Sequence, residues 1–185
     1  MLGLGLNITK KSGVDRVVNA SIQNTKGFVF DGTGDFLTVP NHNDFSFSTP
    51  TATTVDSPFS FAVWLKRDSV GVNEAIFSKA AASNFEYRIF ALNNDIYCDT
   101  YDTSASSYTR RSKLNVMTTD WQHWIFAYSG DISGGNPWTI YRNGIALTSL
   151  GSGGGYGGDM ENLGAAFKVG AMDDTGYDYQ GKMMQ

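Results

Sequence analysis

The side chains with the most chemical potential gather around Asn93-Asn94. Phe85–Leu92 and Asp95–Tyr101 read as two strands joined by this two-residue turn, because asparagine tolerates positive φ. The turn fixes the register. It sets Arg88 opposite Asp99, Phe90 opposite Tyr97 and Glu86 opposite Tyr101, all on one face. Aromatic rings can lie against the C–H faces of a sugar while planar polar groups bond its hydroxyls. Glu86, Arg88, Tyr97, Asp99 and Tyr101 are therefore binding candidates, and Tyr108, with Arg110 and Arg111, extends them. The same residues also suit an ordinary sheet surface, with Arg88–Asp99 as a cross-strand ion pair and the tyrosines as cover. The opposite face carries Tyr87, Ile89 and Ala91 against Ile96, Cys98 and Thr100, and reads as core.

Catalytic groupings are poor. Asp99 and Asp102 stand three apart, so they point to opposite faces of a strand. His42 and His123 have no nucleophile motif near them. Cys98, the single cysteine, falls on the core face and reads as an inert buried thiol. The glycine run at 151–158 reads as a flexible loop and lacks the lysine and helix of a phosphate loop.

The elements that must position these residues are strands. Glycine, serine, threonine and asparagine abound, while charged residues make up only 17% of the 185 residues; that mix favours turns and strands over helices. Gly27–Phe30 and Phe36–Val39 flank the loop Asp31-Gly-Thr-Gly34. Phe59–Lys66 alternates strongly, and Ala75–Lys79 is a further strand. Trp121–Tyr128 is apolar on both faces and reads as a central strand. Trp138–Arg142 and Ile145–Leu147 flank Asn143-Gly144, the strongest short hairpin signal. Short strands are expected at Phe45–Phe47, Phe167–Gly170 and Tyr177–Lys182, and about a dozen in all imply an antiparallel β-sandwich or jelly roll. A net charge of −4 gives no footprint for nucleic acid. No apolar run reaches the ~18–20 residues of a membrane span. Residues 1–26 fall outside the strand pattern; they read as a poorly ordered leader or as an apolar arm that docks on another protein, without an export signal.

Several segments together resemble the concanavalin A-like lectin/glucanase superfamily, in its laminin-G-like and pentraxin-like branch. They are Phe30-Asp-Gly-Thr-Gly-Asp-Phe-Leu-Thr-Val-Pro40, Phe59-Ser-Phe-Ala-Val-Trp-Leu-Lys66, Trp121-Gln-His-Trp-Ile-Phe-Ala-Tyr128, Trp138-Thr-Ile-Tyr-Arg-Asn-Gly144 and Phe167-Lys-Val-Gly170. The resemblance implies two curved antiparallel sheets over residues 27–185. In the family a long strand that pairs with the first one follows Tyr179-Gln-Gly-Lys182; here Met183-Met-Gln185 follow, so the sandwich is expected to lack its closing strand. That expectation implies a longer protein, a strand supplied by another chain, or docking of Met1–Leu6.

For function, the resemblance implies a non-enzymatic binding or structural module. The superfamily's glucanases carry a Glu-x-Asp-x-x-Glu pattern, and Glu74, Glu86 and Glu161 belong to none. His123 resembles a structural position. Many members bind glycans or proteins, often with calcium; Asp31, Asp173 and Asp174 resemble positions near such metals, and solvated turn aspartates are the alternative reading. Laminin-G-like domains also occur on phage fibres and capsid decorations. The expected setting is therefore a virion surface, with a glycan or another virion protein as partner; a secreted bacterial adhesin is the rival.

Overall fold

The computed structural model describes residues 26–48, 55–81, 84–133, 137–155, 158–172 and 176–184. The N-terminal arm lies outside the described residues, apart from Lys26. Thirteen strands and one 3-10 turn make up the described elements. They form an antiparallel β-sandwich of the concanavalin A-like type.

One sheet has six strands, in the order β1 (Phe28–Asp31), β13 (Gln180–Met184), β3 (Phe59–Arg67), β8 (Gln122–Tyr128), β9 (Trp138–Arg142) and β10 (Ile145–Ala146). The other has seven: β11 (Gly151–Gly153), β7 (Ser107–Lys113), β6 (Asp95–Asp102), β5 (Asn84–Leu92), β4 (Asn73–Ala81), β12 (Phe167–Val169) and β2 (Leu37–Val39). The inward residues follow the two-residue period of each strand. Val63 and Leu65 of β3, Trp124 and Phe126 of β8 and Ile140 of β9 meet Phe77, Ile89, Ile96 and Cys98 from the other sheet in one core. Rings bridge the layers: Phe61 stacks on Phe77 at 4.8 Å, and Phe59 lies 5.1 Å from Tyr87. Burial holds the Cys98 thiol well above its usual range, so it is an inert core group.

Three sequence expectations are corrected, and one strand is added that the sequence reading did not name. Phe45 ends a 3-10 turn, Asn43–Phe45, and is not the start of a strand. Ser107–Lys113 is a strand, which its polar composition hid. Gly151–Gly153 pairs with it instead of looping freely. Most consequentially, β1 does not lack a partner. The short β13 lies between β1 and β3 and pairs with both, Phe28 with Met183 and Leu65 with Met183. Gly181 makes this possible: its φ is +140°, and a Cβ there would lie 2.2 Å from the Lys66 carbonyl oxygen.

A buried carboxylate ties a loop to the core. Asp56 accepts from the Tyr128 hydroxyl at 2.6 Å and from the Met160 amide at 2.9 Å. Burial nevertheless lifts its carboxyl to about 6. The unfolded value is near 3.9, so the fold binds the Asp56 proton more tightly than the unfolded chain does. The resulting stabilisation is full below about pH 4 and is lost as pH rises through 6. Asp56→Asn should abolish this component, worth up to about 3 kcal/mol. Urea denaturation of both proteins from pH 4 to pH 7 checks it; a wild-type minus variant difference that does not change with pH would refute it.

Candidate functional site

The outward face of the seven-stranded sheet is built by β5, β6 and β7. The Asn93-Asn94 turn, with Asn93 at φ 55°, sets Arg88 opposite Asp99 and Phe90 opposite Tyr97, as the sequence predicts. β7 adds Arg110 opposite Asp99 and Tyr108 opposite Tyr101. Arg111 stands opposite Cys98 and so belongs to the other face.

Asp99 is completely buried at the centre and receives two guanidinium groups. Arg88 Nε donates to Oδ2 at 2.9 Å; Arg110 donates through Nε to Oδ1 and through Nη2 to Oδ2, both at 2.7 Å. The bond to Asp99 holds the Arg110 guanidinium above its ordinary pKa. The expected cross-strand ion pair is thus real, and it is one half of a three-residue row.

Rings flank this row. On one side Phe90 stacks on Tyr97 at 5.3 Å, with Tyr177 edge-on to Phe90 at 6.2 Å. On the other side Tyr101 lies 5.0 Å from Phe85 and 5.6 Å from Tyr108. Arg88 sits over Phe90 at 4.7 Å and over Tyr101 at 5.1 Å; Arg110 sits 5.0 Å from the Tyr97 ring and 5.1 Å from that of Tyr108. These cation–π contacts prop the rings in place. Tyr97, Tyr101 and Tyr108 remain partly exposed. Burial raises the pKa of the Tyr97 and Tyr101 hydroxyls, so both are neutral donors at physiological pH.

Glu86 leaves the face. The β4–β5 register shifts between Lys79 and Ala80: Lys79 pairs with Tyr87, Ala80 with Phe85, and Glu86 opposes nothing on β4. This bulge puts Phe85 beside Tyr101, where strict alternation predicts Glu86. Glu86 is instead fully buried against the Lys79 ammonium at 2.7 Å, and accepts from the Leu163 amide at 2.8 Å. Burial is the main cause that raises its pKa.

Of the three metal candidates, only Asp31 lies among the described residues. Asp31 Oδ1 accepts from the Thr33 amide at 2.8 Å, closing its own turn. Asp173 and Asp174 lie outside the described residues. No three His, Cys, Asp or Glu side chains among those described are arranged to hold a metal ion.

Residues 31–185 match the Laminin_G_3 family of the concanavalin A-like lectin/glucanases superfamily. No curated protein matches the sequence. Among solved structures, the chain is similar to the receptor binding domain of botulinum neurotoxin D, with a TM-score of 0.53 at 12% identity, over 86% of this chain and 41% of that one. The botulinum neurotoxin serotype G binding domain gives 0.55 at 14%, over 84% and 37%. The binding domain of Paraclostridial Mosquitocidal Protein 1 gives 0.51 at 12%, over 85% and 39%. The chain spans about two fifths of the length of these domains, and the likeness is one of fold.

Proposed function

The chain belongs to the concanavalin A-like lectin/glucanase superfamily, and from that premise we propose that it is a non-enzymatic module whose seven-stranded face recognises carbohydrate. One observation carries this reading: the partly exposed rings of Phe85, Tyr97, Tyr101 and Tyr108 are held on both sides of the Arg88–Asp99–Arg110 row. Flat apolar surfaces and fixed donors alternate there at the spacing of neighbouring strands, as a sugar chain requires. The best-buried carboxylates are engaged structurally: Asp56 with Tyr128 and the Met160 amide, Glu74 with Arg67, Glu86 with Lys79 and Asp99 with two arginines. That leaves no evident acid–base pair among them and supports the non-enzymatic reading. The receptor-binding role named for the toxin domains agrees with it.

The combined change Tyr97→Ala and Tyr101→Ala tests the site. On a glycan array the wild type is expected to bind a defined set of sugars, and the variant to lose at least about tenfold, or 1.4 kcal/mol. Unchanged binding would overturn the assignment.

A second reading is attachment to other chains in a phage particle, with a secreted adhesin as the rival setting. Phe28, Val29, Phe36, Leu37 and Val39 are exposed along β1 and β2. They adjoin an apolar groove of about 320 Å³ between the two sheets, lined by Phe28, Leu37, Val63 and Met183. Exposed apolar edges of this kind favour assembly. Immunogold electron microscopy of purified particles tests the setting: label on the particle surface supports it, and unlabelled particles refute it.

A further inference from the structure

The proposed sugar-binding face ends in a cleft of about 270 Å³, lined by Phe85, Tyr101 and Tyr108 together with Asp102, Ser106 and Ser107. Resting on the carbohydrate reading, we propose that this cleft is the subsite for one uncharged sugar ring. Its volume lies below that of a drug-sized ligand site, so it takes a single ring and not a disaccharide.

The polar wall is preset. Asp102 Oδ1 accepts from the Ser104 hydroxyl at 2.8 Å and from the Ala105 amide at 2.9 Å; Oδ2 accepts from the Gly158 amide at 2.9 Å. These three bonds fix the carboxylate. Ser107 donates its hydroxyl to the Gly155 carbonyl at 3.0 Å. The lining thus joins three aromatic rings to a fixed carboxylate and two serines.

Charge decides the class of sugar. Among the described residues, the lining includes the Asp102 carboxylate and no lysine or arginine. Glu161 lies close by, accepting from the Ser104 amide at 3.1 Å. Arg88 and Arg110 stack on Tyr101 and Tyr108 but are tied to Asp99. A sugar bearing a carboxylate or sulfate would meet like charge in a part-buried site. A neutral hexose or N-acetylhexosamine meets only acceptors and ring faces.

The test is calorimetric titration of the full chain with methyl glucoside, methyl galactoside, methyl mannoside, N-acetylglucosamine, glucuronic acid and N-acetylneuraminic acid. At least one neutral sugar should bind tenfold or more tightly than either acid. Tyr108→Ala should weaken that binding at least tenfold, while Tyr97→Ala, on the far side of the ionic row, should change it less than threefold. If Tyr108→Ala fails to fold, Ser107→Leu, which fills the cleft from its polar wall, should give the same loss. Preference for an acid, or a loss at Tyr97→Ala but not at Tyr108→Ala, overturns the subsite and leaves the glycan-binding face standing. No binding to any sugar here or on the array overturns both.

Discussion

Asp99→Ala should cost about 3–5 kcal/mol in urea denaturation, the largest loss of any single change on the binding face. One buried carboxylate receives three hydrogen bonds from Arg88 and Arg110. Removing it leaves two guanidinium groups facing each other with their shared counter-charge gone. Losing one arginine instead leaves the other still paired, and both arginines are about one-fifth exposed. Arg88→Ala and Arg110→Ala should therefore each cost clearly less, with Arg110 the more costly because it makes two of the three bonds. A loss below about 1 kcal/mol for Asp99→Ala would show that Asp99 does not organise the face. Sugar binding should fall with it even where the protein stays folded, because the guanidinium groups that prop Tyr97, Tyr101 and Tyr108 lose their anchor.

Lys79→Met should cause a loss of similar size by a different route. The ammonium donates to Asn41 Oδ1 at 2.7 Å, Glu86 Oε1 at 2.7 Å, the Ala165 carbonyl at 2.8 Å and the Leu163 carbonyl at 3.3 Å. Lys79 and Glu86 are both fully buried. Taking away the cation strands a carboxylate in the interior, at about 3–5 kcal/mol. Adding Glu86→Gln should recover much of that loss, since a neutral pair of similar volume carries no stranded charge. The two changes should thus be strongly non-additive in a double-mutant cycle. Additive losses would mean that the pair stabilises the fold through its separate contacts and not through its charges.

The two sites differ in how far their residues announced them. The Arg88–Asp99 pairing was legible because an Asn-Asn turn leaves little choice of register, and the pairs from Tyr87–Thr100 to Leu92–Asp95 follow from it. Glu86 was not legible. Alternation carries across a strand only while the ladder is regular, and the bulge between Lys79 and Ala80 exchanges the faces of Phe85 and Glu86. Nothing local in Asn84-Phe-Glu86 marks that bulge, which accompanies the buried Lys79–Glu86 pair, a tertiary contact. Arg110 carried a weak signal. Tyr108 and Arg110 alternate with the inward Thr109, but the polar run around them lacks the apolar period that identifies a strand. The sandwich itself was legible because so many of its strands are amphipathic. The pairing of β13 was not, since Gln-Gly-Lys-Met-Met has little strand propensity and is held by its two neighbours.

That pairing has a consequence for the order of events during synthesis. Phe28 finds its ladder partner in Met183, and Leu65 shares that partner. At about 5–20 residues per second, β1 and the adjoining edge of β3 wait with their backbone groups unpaired until β13 has been made. The seven-stranded sheet meets no such delay at its centre, where β4, β5, β6 and β7 follow one another along the chain. The binding face is thus expected to form early and locally, while the six-stranded layer closes last, through the contacts of greatest sequence separation. Until residues 180–184 arrive, the apolar groove beside Phe28 has no floor, and the nascent chain presents its stickiest surface to whatever is nearby.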